Sequence, residues 1–450
     1  MAILRKTNLT EIVESNRWSA EFFDPAYIFS ENNRFQWTKI GNVLTRAQYG
    51  LSLSMNEENI GVPMYRMNEM DKCFVKDAKK YAIVSEKEIE NYLLEMDDVL
   101  FNRTNSYEFV GRTGILKHEV NSVFASYLIR LNTKKNLILP EFLTIYLNTT
   151  FGIGQIKRRA MRSVNQANVS ASELKQIKIP LVDMNNQVKI KNLVDTSFTY
   201  NAHAMKLYKE AIKILDDEID LNYTEDTKKF SNKFVTFFSD IATKKRFDGE
   251  HFQTKYQFLR NKLSNYGSEK LLKNISYIKP NFVPEKEEIY YYAQLSDIDN
   301  SIGIIDSYSI LLGKDAPSRA KRLTQNGDLL ISSVVGSLDK SALIQDKHKN
   351  FLVSNGFFQF RSNFYPSEYL LILFQSDIIK EQFKQEAGGG ILSAVADSNL
   401  KNIIIPTVKK EIIEKIFEKV KEAFEYKEKS LEVLEKAILE VEEIIKNSIN

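Results

Sequence analysis

The sequence predicts an α+β protein. It reads as two homologous α/β domains, each followed by a long helix, the two helices forming an antiparallel coiled coil about a pseudo-twofold internal repeat. Two observations carry this expectation: the chain resembles itself at a nearly constant offset, and each copy ends in a long stretch without proline or glycine. The 450 residues, 43% hydrophobic and 27% charged, are ample for several cores and too apolar for a disordered chain.

Each element follows from the duplication, which is sought before any secondary structure. Arg17-Trp18-Ser19-Ala20-Glu21-Phe22-Phe23-Asp24-Pro25-Ala26-Tyr27 aligns with Arg246-Phe247-Asp248-Gly249-Glu250-His251-Phe252-Gln253-Thr254-Lys255-Tyr256, with Arg, Glu, Phe and Tyr retained. Leu174–Pro180 returns as Leu400–Pro406. Between them, Gly61–Met67 lies opposite Ile289–Leu295, and Asp98-Val99-Leu100 opposite Asp328-Leu329-Leu330. The offset stays between 226 and 230 residues throughout, which chance similarity would not maintain. Short β-rich runs follow in each copy: Val62–Met67, Tyr81–Val84 and Phe124–Leu131, then Ile289–Leu295, Leu329–Val335 and Phe357–Phe360. A helical stretch, Glu141–Thr149 or Glu368–Ser376, comes late in each.

The expected divisions are a domain over 1–182, a helix over 183–227, a second domain over 228–407 and a second helix over 408–450. In the second helix, Leu431, Leu434, Ile438, Val441 and Ile445 alternate spacings of three and four, the rhythm of a coiled coil. Ile190, Val194, Ala204, Ala211 and Leu215 keep it in the first, which Ser197 and Asn201 interrupt. About 40 residues at 1.5 Å each make a rod of roughly 60 Å. A single heptad helix cannot bury its stripe, so the two are expected to pair with each other.

The chemistry that composition leaves open is narrow. One cysteine, Cys73, excludes an internal disulfide, and four histidines give no zinc-binding pattern. No run approaches the roughly 18 apolar residues of a membrane span, and Met1–Lys6 begins no secretory signal, so the chain reads as cytoplasmic. Asp24-Pro25-Ala26-Tyr27 approaches an amino-methyltransferase tetrapeptide, but its second proline is missing and its repeat partner has lost the acid. Phe151-Gly152-Ile153-Gly154 only superficially resembles a cofactor turn. No phosphate loop is present, and neither Asp77-Ala78-Lys79 nor Glu425-Tyr426-Lys427 has the setting of a nuclease site. The chain reads as non-catalytic and metal-free.

Basic, amide and aromatic residues on loops remain. With a net charge of only +3, nucleic-acid binding would have to rest on local patches. The DNA-binding candidates in the first copy are Arg46, Tyr49, Asn102, Arg103, Asn105, Arg112, Arg158, Arg159, Arg162, Asn165 and Gln166. The basic run that begins at Lys157 is the densest of these. In the second copy they are Tyr277, Lys279, Asn281, Lys314, Arg319, Lys321, Arg322, Ser332 and Ser333. Arginine clamps phosphates or guanine edges, and Asn or Gln can read adenine. The scaffold is kept between copies while these loops diverge, as recognition of two different half-sites would require.

The order of domain, helix, domain, helix resembles the specificity subunit (HsdS) of Type I restriction-modification systems. The words that carry the likeness are Gly61–Met67, Asp98-Val99-Leu100-Phe101-Asn102-Arg103-Thr104, Val110-Gly111-Arg112-Thr113-Gly114, Leu174–Pro180 with Gln187 and Ile190, and Ile403–Pro406. The likeness spans the chain, although the second copy lacks the Gly-Val-Pro and Gly-Arg-Thr-Gly words. It implies two target-recognition domains, each contacting one half of a split double-stranded DNA target, with the helices as spacer ruler and docking surface. It further implies two modification (methyltransferase) subunits and a restriction (ATPase/endonuclease) subunit as partners. S-adenosylmethionine, ATP and Mg would sit on those subunits and none on this chain. The alternatives are the recognition subunit of a related fused restriction enzyme, a coiled-coil scaffold, and RNA binding, to which regularly spaced duplex readers are poorly suited.

Overall fold

The computed structural model describes residues 9–15, 17–18, 20–27, 35–220, 226, 230, 233–388 and 393–446. The fold is α+β and divides into two compact units. One comprises Met1–Asn201 with Glu428–Asn450, the other Ala202–Lys427.

In the first unit the central sheet has the strand order Leu44–Tyr49, Leu128–Thr133, Val99–Asn102, Thr113–Ile115, Phe74–Val75, Met70–Asp71. A second sheet sets Val62–Tyr65 between Val123–Phe124, parallel, and Tyr81–Ala82, antiparallel. Trp37–Lys39 pairs with Lys178–Pro180. Helices Pro140–Asn148 and Thr150–Arg159 cover the central sheet, burying Phe142, Leu143, Ile145 and Leu147 against Val99, Phe101 and Ile129.

The second unit repeats this plan, though not every strand of it. Its sheet runs Ser276–Ile278, Phe357–Arg361, Leu329–Ser332, Ser341–Leu343. Ile289–Ala293 again lies between a parallel strand, Leu352–Ser354, and an antiparallel one, Ser309–Leu312. Ser268–Lys270 pairs with Ile404–Pro406, and helices Ser367–Gln375 and Asp377–Glu386 cover the sheet. The side-chain bracing repeats as well. Gln155 holds the backbone of Lys178 through both its N–H and its carbonyl, and Gln382 does the same for Ile404.

The long helices run Met184–Ile219 and Lys410–Lys446. The ends expected at 227 and 450 fall on residues outside those described. Within the first unit, Ile190 and Val194 pack with Leu434, Ala437, Val441 and Ile445. Within the second, Ala204, Leu207, Ala211 and Leu215 pack with Ile413, Ile416, Val420 and Ala423. There the direction is antiparallel, since Glu210 pairs with Lys419 at 2.7 Å and Glu218 with Lys409 at 3.6 Å. Of the expected seam residues, Leu431 and Ile438 are only half-buried; Ser430 and Ala437 lie inside instead, at 2% and 0% exposure. Ser197, which breaks the apolar rhythm, also lies inside. Its Oγ donates to the carbonyl of Ser430 at 2.7 Å, and Ser430 Oγ donates to the carbonyl of Ser197 at 2.8 Å. An exchanged pair of hydroxyls satisfies buried polar atoms, so the seam admits serine where a pattern built on apolar residues skips it.

Candidate nucleic-acid interface

The polar end of the first unit is built where the strand Val99–Asn102 gives way to Thr104–Asn105. Thr104–Asn105 pairs with Ala167–Asn168, which pairs with Met161–Arg162. Arg103 is the hinge pin of this end. Its guanidinium lies 4.8 Å from the ring centre of Tyr49 and donates to the Ser126 carbonyl and to Asn168 Oδ1, at 3.3 and 3.2 Å. Asn168 Nδ2 in turn donates to Thr104 Oγ1 at 2.7 Å, and Tyr49 Oη accepts from Ala171 N at 2.8 Å. Arg103 therefore fixes the small sheet onto the larger one. Asn105 turns inward to accept from Ser106 N, and Arg112 stacks 4.1 Å over Phe109. Arg46 is exposed on the Leu44–Tyr49 strand.

The basic run does not act as a unit. Lys157 Nζ donates to the carbonyls of Tyr107, Glu108 and Val110, at 2.5, 2.9 and 3.1 Å, and burial pulls its ammonium down to about 8. Arg158 donates to the Phe22 carbonyl at 2.5 Å and stacks 3.9 Å over the Phe22 ring. Arg159 pairs with Glu173 and donates to the Gln176 carbonyl. These three side chains pin the 106–112 loop and the N-terminal segment to their helix, a structural duty that corrects the expectation of a continuous phosphate-facing patch. Arg162, Asn165 and Gln166 differ, since all three are exposed on the hairpin that follows. Ser163 N donates to Gln166 O at 2.7 Å to close the hairpin turn.

Burial removes three further candidates from the surface. Asn102 is 0% exposed in the central sheet. Ser332, its counterpart, is also 0% exposed and is bonded to Val334 and Ser337. Arg322 is 2% exposed and spends its donors on the Ile278 carbonyl and Tyr277 Oη. Tyr277 is half-buried, its hydroxyl donating to Asp397 at 2.7 Å, and Ser333 holds Gly356. Lys279, Asn281, Lys314 and Arg319 stay exposed and Lys321 half-exposed. Arg319 donates to Gln294 Oε1 at 2.7 Å. Among the candidates, the exposed cations of the second unit thus lie at 279, 314 and 319, whereas those of the first lie on its hairpin and the Leu44–Tyr49 strand.

Two elements that sequence reasoning missed stand behind these surfaces. Asp98, 1% exposed, accepts from Glu95 N at 2.9 Å and from Asn132, and faces Arg130 at 3.4 Å; burial pushes its carboxyl up against these bonds. Asp328, 0% exposed, accepts from Gln325 N, Gln359 and Arg361, at 2.7, 2.6 and 2.7 Å. Its signal was the aspartate shared by the aligned Asp-x-Leu words. Tyr107 is the other, with Arg162 stacked 3.5 Å over its ring.

The Phe151–Gly154 segment has a packing explanation. A Cβ on Gly152 would lie 2.1 Å from the Tyr146 carbonyl oxygen, so glycine lets two helices meet closely. Glu442 caps that helix, accepting from Thr150 N at 2.7 Å. Among the described residues no cluster of His, Cys, Asp or Glu could hold a metal ion, and no helix is long and apolar enough to cross a membrane.

Residues 34–213 match the family described as Type I restriction modification DNA specificity domain. A relative from Methanocaldococcus jannaschii, assigned as the type I restriction enzyme MjaX specificity subunit, is 23% identical over 436 residues, covering 91% of this chain and 95% of its own. The EcoKI specificity subunit of Escherichia coli is 27% identical over 174 residues, 38% of this chain and 37% of its own. The crystal structure of a Type-I restriction-modification system S subunit from M. genitalium aligns over 92% of this chain and 97% of that one, at 14% identity and a TM-score of 0.40. Residues 34–213 thus match the specificity domain, and along nearly its whole length the chain is similar to a type I restriction enzyme specificity subunit.

Proposed function

We propose that the chain is the DNA-recognition subunit of a Type I restriction-modification complex, each unit reading one half of a bipartite duplex target. The observation that carries this is the contrast between the units: strands, covering helices and buried aspartates repeat, while the exposed cations and amides sit on different loops. A duplicated scaffold with unlike polar ends suits two unlike half-sites. The long helices hold the readers at a set spacing and offer the docking surface for two modification subunits. S-adenosylmethionine belongs to those subunits, and ATP and Mg to a restriction subunit. This chain carries no reaction of its own and works in the cytoplasm.

The purified chain, given duplex DNA and labelled S-adenosylmethionine, is expected to bind the DNA with a steep inverse dependence on salt, since each phosphate contact releases counterions, and to transfer no methyl groups. Methyl transfer by the isolated chain, or binding indifferent to salt, would contradict the assignment.

A further inference from the structure

We propose that the hairpin Met161–Asn168 is the major-groove reader of the first unit and that its ligand is an A·T base pair. Asn165 and Gln166 would address the adenine edge and Val164 the thymine methyl. The inference deepens the DNA-recognition reading and rests on it.

The base of this hairpin is rigid and its tip is open. Ala167 and Val169 are buried at 1% and 0% exposure, and the Arg103–Asn168–Thr104 bonds tie the inner strand down. Arg162 lies flat on Tyr107. Beyond them, Val164 is 95% exposed, an apolar side chain standing in water between polar neighbours. The turn is closed by Ser163 and Gln166 through their backbone, which leaves the Val164, Asn165 and Gln166 side chains exposed at the tip. A two-stranded ribbon fits a major groove about 12 Å wide, and the side chains at the tip are those the groove can use. Carboxamides pair with adenine N6 and N7, and a valine methyl meets the thymine C5-methyl. Arg162, one step back and exposed, would then meet backbone phosphate.

The second unit sharpens the assignment. Its matching hairpin pairs Ala387–Gly388 with Ala394–Val395, and the sequence between them, Gly389-Gly390-Ile391-Leu392-Ser393, has neither carboxamide nor cation. A·T reading by this device therefore belongs to one half of the target only.

The test is selection of duplexes from a randomised pool by the full-length chain, followed by binding titrations on the enriched sequence. Wild type is expected to enrich two separated blocks. In N165A/Q166A, preference at one or two A·T positions of a single block should fall about 10- to 100-fold, with the other block and the salt slope unchanged. In R162A the enriched sequence should survive while the slope of log affinity against log salt shrinks by about one. Placing 7-deazaadenine at the affected position should weaken wild-type binding and leave N165A/Q166A indifferent, a readout that needs no variant to fold better than another. Unchanged selectivity in N165A/Q166A, or a loss confined to G·C positions, would overturn the hairpin assignment. Enrichment of no sequence by wild type would instead sink the DNA-recognition reading itself.

Discussion

Replacing Arg130 with alanine is expected to destabilise the first unit by about 3–5 kcal/mol, the cost of breaking a buried ion pair from one side. Arg130 is 2% exposed on the strand Leu128–Thr133 and donates to the carbonyls of Leu93 and Asn91, at 2.7 and 2.9 Å, and to Gln48 Oε1 at 2.5 Å. It also faces Asp98. Alanine leaves the buried Asp98 carboxylate without its cation, and the Leu93 carbonyl and Gln48 Oε1 without this donor. Lysine restores the charge but not the fork, so R130K should recover only part of the loss. The shift in urea midpoint measures both. A drop below about 1 kcal/mol in R130A would mean that Asp98 is balanced by Asn132 and the Glu95 N–H alone.

Removing the aspartate of the corresponding network in the second unit should cost less, and the reason is visible. Asp328→Ala removes the acceptor for Gln325 N, Gln359 and Arg361, but the Arg361 side chain is 35% exposed and can turn to water. What remains is a buried glutamine N–H and a backbone N–H without their carboxylate, worth about 1–3 kcal/mol in all. The expected order, R130A above D328A, follows from which charge is stranded. The reverse order in paired denaturation curves would show that strand pairing, and not desolvation, sets the cost.

Much of this fold was legible because duplication is a long-range signal that survives degenerate local sequence. Gly61–Met67 and Ile289–Leu295 share little identity, yet they occupy the same place between a parallel and an antiparallel neighbour. The coiled-coil seam was legible only in part. Hydrophobic spacing finds Leu434, Val441 and Ile445 but cannot foresee that Ser197 and Ser430 satisfy one another across it. The candidate interface was legible least. A run such as Lys157-Arg158-Arg159-Arg162 looks uniform in sequence, but a helix sends successive side chains to different sides. Three of the four met backbone carbonyls or Glu173, and the fourth lay past the helix end on an open hairpin. Asn102, Arg322 and Ser332 show the same limit, since a polar residue leaving a strand can face the sheet interior as readily as solvent.

The recognition proposed for this chain is tested most directly by a base-resolution map of N6-methyladenine in cells carrying it with the modification subunits proposed for it, with and without its gene. Methylation is expected at one motif made of two unrelated blocks separated by a fixed stretch of unspecified bases. That motif should vanish when this chain alone is deleted, and substitutions in the hairpin 161–168 should alter one block only. Methylation unchanged by the deletion, or a single uninterrupted motif, would contradict it.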